Sequence, residues 1–336
     1  MTSRSTQRIA AQQHVDPELL PFLQRIPTVT FHAGILERIR SAPLAWPVDV
    51  ETLQHVETRG YRVPGDMRCT GPVPVRYHRP AGVAGALPAI LHVHGGGFVS
   101  GSAKASDARC RQLAWALQCV VISVDYRLAP ETRFPGALND CLAVFGWMHE
   151  QASALRLDPA GIGLMGESAG GGLAAGLALY LRDHGGPLPI FQHLIYPMID
   201  DRTCLQPNSR PGVGEFIWTP ESNDYGWTSW LGSEPGNDDV SCYAAAARAV
   251  DLAGLPPTFI LTGDLDLFCD EDVEYARRLE AAGVPVELHV YQGCFHAFDC
   301  AGGADVARRA RACSLKALRA AMRAHSGPSQ SPLPLT

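Results

Sequence analysis

Apolar and polar positions along the chain follow two alternating periods. Short apolar runs at Leu87–Val93, Val120–Val124, Ile162–Met165, Ile190–Tyr196, Thr258–Leu261 and Val286–Tyr291 read as strands. The run Val120–Val124 is continuous, as in a strand buried on both faces. Between them lie stretches with helical spacing at Ala105–Leu117, Phe134–Ala154, Leu173–Leu181, Asp270–Ala282 and Ala304–Ala324. Strands alternating with helices at this interval predict a mostly parallel sheet covered by helices on both faces, an α/β architecture. Val56–Tyr61 and Val73–His78 alternate in polarity and predict a half-exposed antiparallel pair at one edge.

The rhythm fails twice. Residues 1–48 carry helical fragments around Leu19, Phe22, Leu23, Ile35, Leu36 and Ile39, cut by Pro21, Pro27 and Pro47. Residues 202–239 are rich in Pro, Gly and Ser and hold Trp218, Trp227 and Trp230. Long irregular insertions in compact domains tend to be lids or binding loops. The chain therefore divides into an N-terminal cap segment, 1–48, and a catalytic domain, 49–325, with a cap insertion at about 202–239. A Pro/Ser tail, 326–336, is expected to be disordered.

Composition narrows the class. The chain has 336 residues, enough for one large domain with accessory segments. A formal charge of −6 with scattered Lys and Arg leaves no basic footprint for nucleic acid. No apolar run has the length of a membrane span, and the N-terminus lacks an apolar signal core, so a cytoplasmic location is expected. The 10 cysteines run from Cys69 to Cys313 without a CxxC pair, which fits free thiols.

Gly166-Glu167-Ser168-Ala169-Gly170 stands between a predicted strand and a predicted helix, the context of a nucleophile elbow. A turn that sharp pushes the serine hydroxyl outward, and the following helix start presents N–H groups to developing negative charge. His94-Gly95-Gly96-Gly97 ends an earlier strand and supplies close backbone N–H donors of the oxyanion-hole type. A base for the serine is expected in Gly293-Cys294-Phe295-His296-Ala297-Phe298, read as a mobile loop packed against the core. His296 is the stronger candidate; His94 is expected to brace the oxyanion loop. Asp264, Asp266 and Asp270 all follow the Thr258–Leu261 strand and compete to orient His296. His92-Val93-His94 lacks a third ligand at a spacing that suits zinc, so no metal and no cofactor is expected.

The order Ser, Asp, His is that of the α/β hydrolases. The stretches HGGGF at 94–98, VDYRLAPE at 124–131, FPGALNDC at 134–141, GESAGGGLA at 166–174, DLFCDE at 266–271 and GCFHAF at 293–298 resemble the hormone-sensitive-lipase-like esterases, the bacterial family IV carboxylesterases. The resemblance covers about residues 50–325. It implies an α/β-hydrolase fold with an eight-stranded, mostly parallel sheet and a helical cap. It also implies a triad of Ser168, Asp266 and His296. Oxyanion donors would come from Gly95, Gly96 and Ala169, with Gly97 as flexible support. An internal ion pair between Asp125 and Arg127 is expected from the same pattern, and a supporting role behind the elbow is given to Glu167. Two positions depart from the family: Glu167 stands where Asp or Thr is usual, and Leu267 where Pro is usual.

The implied activity is hydrolysis of small-molecule esters with short to medium acyl chains. Phe98, Phe216 and Trp218 are expected to wall the pocket. The same triad also serves deacetylases, lactonases and amidases, whose specificity lies in the caps. The plant gibberellin receptors resemble this family but lack the histidine, which His296 supplies here. A homodimer is expected through the last strand, Val284–Tyr291, an apolar edge.

Overall fold

The computed structural model describes residues 4–26, 29–41, 46–47, 50–65, 71–205 and 210–326. Of the tail expected to be disordered at 326–336, Ser326 is the last residue of a helix and 327–336 lie outside the described residues. The strands are β1 Val56–Val63, β2 Val73–Pro80, β3 Leu87–Val93, β4 Val120–Val124, β5 Leu157–Glu167, β6 Gln192–Ile195, β7 Thr258–Gly263 and β8 Val286–Tyr291. Four short helices precede or abut β1: α1 Arg4–Ala11, α2 Leu20–Arg25, α3 Leu36–Ser41 and α4 Val50–Gln54. The others are α5 Asp107–Leu117, α6 Gly136–Glu150, α7 Ala152–Leu155, α8 Ala169–Asp183, α9 Pro220–Leu231, α10 Cys269–Ala281 and α11 Asp305–Ser326.

The strands form one eight-stranded sheet in the order β1-β2-β4-β3-β5-β6-β7-β8. β2 runs antiparallel to both β1 and β4, and every other pairing is parallel. β4, β6 and β7 are buried along their whole length, as parallel strands covered on both faces must be. One face is filled by α6, α8 and α10 through Leu138, Val144, Leu173, Leu177, Tyr275 and Leu279. The other is filled by α5 and α11 through Cys110, Ala114, Val306, Ala310 and Leu318. No described helix is long and apolar enough to cross a membrane. The described cysteines are all free, with Cys110, Cys119, Cys141, Cys269 and Cys294 buried.

Three boundaries differ from the sequence expectation. β5 starts at Leu157 instead of Ile162, because a register shift lets Leu157 pair with Leu87 across the polar Asp158-Pro159-Ala160. α8 starts at Ala169, through three glycines that intrinsic propensity disfavours. Tight packing explains them: a Cβ on Gly170 would stand 2.1 Å from the Val93 carbonyl oxygen of β3. The third is α9, inside the segment read as irregular. Its stop and start signals are present, with Thr219 accepting from Ser222 N–H, Pro220 in the first turn and Gly232 left-handed after its end. Its buried face mixes Trp227 and Trp230 with Ser222, Asn223 and Ser229, which hides the apolar period.

The N-terminal segment packs on the same side as the histidine loop. Ala11, Val15, Leu19, Phe22 and Leu23 join Phe216, Leu265 and Phe295 in one buried cluster.

Candidate active site

Ser168 occupies the single residue between β5 and α8 and adopts φ 54°, ψ −125°. This left-handed, non-glycine conformation costs on the order of 1–3 kcal/mol and persists only where its surroundings hold it. Here they do. Ser168 N–H donates to Ile195 O at 2.9 Å, and its carbonyl accepts from Gly172 and Met198 N–H, each at 3.0 Å. The hydroxyl stands at the N-terminus of α8, where the helix dipole favours negative charge.

His296 arrives from the loop after β8. Its Nε2 lies 3.0 Å from Ser168 Oγ and its Nδ1 lies 2.8 Å from Asp266 Oδ2. Asp266 is fully buried, while Ser168 and His296 are each 5% exposed, so the chain of three opens to solvent only at its serine end and beside the ring. Asp266 Oδ1 also accepts Phe268 N–H at 3.0 Å, which fixes the carboxylate. The imidazole is held edge-on by Phe268 and Tyr196, with ring centroids at 5.2 and 4.6 Å. The other two acids face elsewhere. Asp270 pairs with Arg210 at 2.6 Å, and no described group bonds Asp264 Oδ1. The histidine loop packs against the core, as the sequence reading expects: Cys294, Phe295 and Phe298 are fully buried, and Gly293 O accepts Asp16 N–H from the N-terminal segment at 2.9 Å.

The HGGG stretch borders the elbow directly. A Cβ on Gly95 would stand 3.2 Å from Ser168 Cβ, so only a glycine lets this backbone reach the nucleophile. His94 Nδ1 lies 2.9 Å from Gly95 O, and its ring stacks on Tyr126 at 4.2 Å. Tyr126 Oη in turn donates to His94 O at 2.8 Å. Burial lowers the His94 pKa to about 4, so this brace is neutral at pH 7. Gly96 O accepts from Val99 N–H, Ser100 N–H and Ser100 Oγ, which pins the loop from behind. Ala169 opens α8 immediately beside Ser168.

The expected pocket residues divide. Trp218 packs on the HGGG loop itself: a Cβ on Gly97, at φ 61°, would stand 2.0 Å from Trp218 Cη2. Its ring lies 6.4 Å from His296 and 5.0 Å from Phe31 of the N-terminal segment, and its Nε1 donates to Asn223 at 3.1 Å. Phe98 is 1% exposed and stacks on Trp230 at 4.8 Å. Phe216 is equally buried, with Phe295 at 5.6 Å and the Arg8 guanidinium over its ring.

Behind the elbow is a buried ionic belt that the motifs did not announce. Glu167 accepts from Arg109 Nε at 3.0 Å and lies 3.1 Å from His92 Nε2, whose Nδ1 meets Ser123 Oγ at 3.0 Å. Arg109 also reaches Asp299 at 3.5 Å, and Asp299 accepts from Tyr196 Oη at 2.7 Å. Burial pushes the Glu167 carboxyl up, but Arg109 and then His92 outweigh it and hold it at about 2. Trp46 covers the Arg109 guanidinium at 4.1 Å. Arg109 thus ties the residue before the nucleophile to the loop that carries His296. Nothing in the spacing of Ala105–Leu117 marks this arginine.

One further reading changes. Asp125 and Arg127 do not pair with each other. Arg127 binds Asp140 at 2.7 Å through the Phe134–Cys141 stretch, and Asp125 accepts Ala103 N–H at 2.8 Å. The chain turns sharply after β4, so the two side chains diverge. Glu271, in the first turn of α10, accepts from the Ile199 and Asp200 N–H groups at 2.7 and 3.1 Å, anchoring the chain as it leaves β6 for the insertion.

Comparison with known proteins agrees with this geometry. The chain is 35% identical to esterase LipI of Mycobacterium tuberculosis over 91% of its length and 94% of that protein. It is 36% identical to an ethyl acetate hydrolase of Pseudomonas putida over 67% of its length and 71% of that protein. Its structure is similar to that of a bacterial heroin esterase, with a TM-score of 0.83 and 39% identity, covering 93% of this chain and 99% of that one. A family model described as alpha/beta hydrolase fold matches residues 90–300, which hold the C-terminal ends of β3 to β8, and on that match the chain belongs to the α/β-hydrolase family, among its hormone-sensitive-lipase-like carboxylesterases.

Proposed function

We propose that the protein hydrolyses carboxylic esters of short to medium acyl chain length through an acyl-enzyme on Ser168. The observation that carries this reading is the continuous contact Ser168 Oγ to His296 Nε2 to Asp266, at 3.0 and 2.8 Å, on a serine held at φ 54°. His296 Nε2 takes the hydroxyl proton as Oγ bonds to the ester carbonyl carbon. The carbonyl oxygen becomes an oxyanion, received by the N–H groups of Gly95, Gly96 and Ala169. Such a donor typically contributes about 3 kcal/mol of transition-state stabilisation. Collapse breaks the carbon–alkoxide bond, and His296 returns its proton to the leaving alcohol. Water then repeats the sequence on the acyl-enzyme, releasing the acid and restoring Ser168. Asp266 holds the imidazole tautomer and balances the imidazolium charge.

The acyl-length preference rests on enclosure. Phe31 and Trp218 meet above the HGGG loop, so the N-terminal segment and the insertion carrying α9 act together as caps. Phe98 and Phe216 support that roof from behind. Each methylene that fits contributes about 0.8 kcal/mol until the pocket is full. A relative named for ethyl acetate hydrolysis supports the short end of the range. The test is kcat/KM over p-nitrophenyl esters from acetate to palmitate, with Ser168→Ala as control. A rise followed by a fall within about eight carbons is expected, with the variant folded and inactive. A maximum at palmitate, or turnover retained by Ser168→Ala, overturns the proposal.

A further inference from the structure

Away from the ester site, three different ligand types converge at the outer edge of the sheet. Glu287 and His289 are two residues apart on β8, and so share one face of the terminal strand. Cys313, on α11, meets them from the helix layer. His289 Nε2 lies 2.8 Å from Glu287 Oε1 and 3.4 Å from Cys313 Sγ. One ligand atom from each residue lies within 4.8 Å of the other two, and the cluster is half open to solvent.

We propose that Glu287, His289 and Cys313 form a binding site for a borderline-soft divalent metal ion, of which zinc is the type. The donor set is one imidazole nitrogen, one thiolate sulfur and one carboxylate oxygen, a mixture that suits zinc better than magnesium or calcium. Three protein ligands leave the fourth tetrahedral position for water. The His289 Nε2 to Cys313 Sγ separation of 3.4 Å suits a shared ion, since ligands about 2.0–2.3 Å from an ion are about 3.3–3.7 Å apart in a tetrahedron, and Glu287, 2.8 Å from His289, must withdraw by about half an ångström. The charge also balances, because a thiolate and a carboxylate neutralise the divalent ion. In the binding step the Cys313 S–H bond breaks, sulfur bonds to the metal and its proton goes to solvent. His289 gives up its Nε2–H hydrogen bond to Glu287: the Nε2 proton passes to solvent, Nδ1 takes one up, and Nε2 bonds the metal. Bound metal would clip β8 to α11 and stabilise the open edge of the sheet.

Cobalt(II) is the probe that separates this site from nonspecific binding, since a thiolate ligand gives it an intense near-ultraviolet charge-transfer band. The full-length reduced protein is titrated with cobalt(II), then with zinc(II), beside Cys313→Ser, His289→Ala and Glu287→Gln. The expected result is one ion per chain, a charge-transfer band that zinc abolishes, a rise in Tm with zinc, and affinity weakened at least about tenfold in each of the first two variants. Glu287→Gln should keep the band and bind more weakly. A band that survives in Cys313→Ser, or affinity unchanged in His289→Ala, overturns the proposal. So does a stoichiometry of one ion per two chains, which would place the fourth ligand on a second copy.

Discussion

Arg109→Met should destabilise the protein by about 3 kcal/mol at pH 7 and slow turnover, although Arg109 touches neither Ser168 nor His296. The side chain it removes is the shared partner of Glu167 and Asp299, both buried. The Glu167 carboxyl is held at about 2 against its ordinary 4.5, which at about 1.36 kcal/mol per pH unit amounts to roughly 3 kcal/mol at neutral pH. Breaking a buried pair by removing one partner typically costs about 3–5 kcal/mol, in agreement. The sign with pH follows from the direction. A depressed carboxyl contributes stability that is present above about 4.5 and lost as pH falls through about 2. In the wild type that contribution is therefore constant from pH 8 to pH 5.5. In the variant, burial is no longer opposed by the guanidinium, and the carboxyl escapes its desolvation cost by taking up a proton. The deficit of the variant should therefore shrink on acidification. Urea unfolding of both proteins at pH 8, 7 and 5.5 measures it. Because Glu167 precedes the nucleophile and Asp299 follows the base by three residues, kcat on p-nitrophenyl butyrate should fall at least about tenfold with KM little changed. A deficit under about 1 kcal/mol at pH 7, together with unchanged kcat, would refute the idea that Arg109 sets the alignment of serine and histidine.

Four other outcomes are expected. Asp266→Asn should lower kcat by several orders of magnitude and Asp264→Asn by less than about tenfold, because only Asp266 contacts His296; steady-state kinetics of the two variants checks the ranking. Burial lowers His78 and His94 to about 4 and His193 to about 3; histidines depressed in the fold contribute stability that is lost as pH falls from 6.5 toward those values. Each should therefore cost about 2 kcal/mol by pH 5, read as a steep acid limb in urea unfolding. Gly97→Ala places a methyl 2.0 Å from Trp218 Cη2, so Trp218 must move; the acyl-length optimum should shift and KM for acetate should rise, as a p-nitrophenyl ester series would reveal. The terminal strand β8, with Val290 exposed, should pair two copies into a homodimer, and a monomer mass by light scattering at micromolar concentration would exclude it.

Much of the fold is written in local pattern. Val120–Val124 reads as a buried strand and is one, since Val120, Val121, Ile122 and Val124 need cover on both faces and Ser123 finds His92 as a buried partner. The elbow is equally legible, because Gly166, Ser168 and Gly170 act within one turn of chain. The choice among Asp264, Asp266 and Asp270 was not. All three follow the same strand, and the direction each carboxylate takes depends on the turn after β7 and on a histidine 30 residues away. The Ser168 to His296 contact joins residues 128 apart, and exists only because β5 to β8 run parallel and so present their C-terminal ends on one side of the sheet. Arg127 found Asp140 and not Asp125 for the same reason: α6 brings Asp140 under the loop, while two alternate positions after β4 part company. Arg109 is the extreme case. Its role depends on α5 packing on β2 and β4 beside α11, from where the side chain reaches Glu167 at the end of β5 and Asp299 after the histidine loop, and a lone arginine in a helical pattern carries no mark of that. The sequence determined which elements form and which residue types carry the chemistry, because period and turn chemistry act over a few residues. The tertiary structure decided which carboxylate, which cation and which helix complete the site, because those pairings are contacts between distant segments and are fixed by sheet order and packing alone.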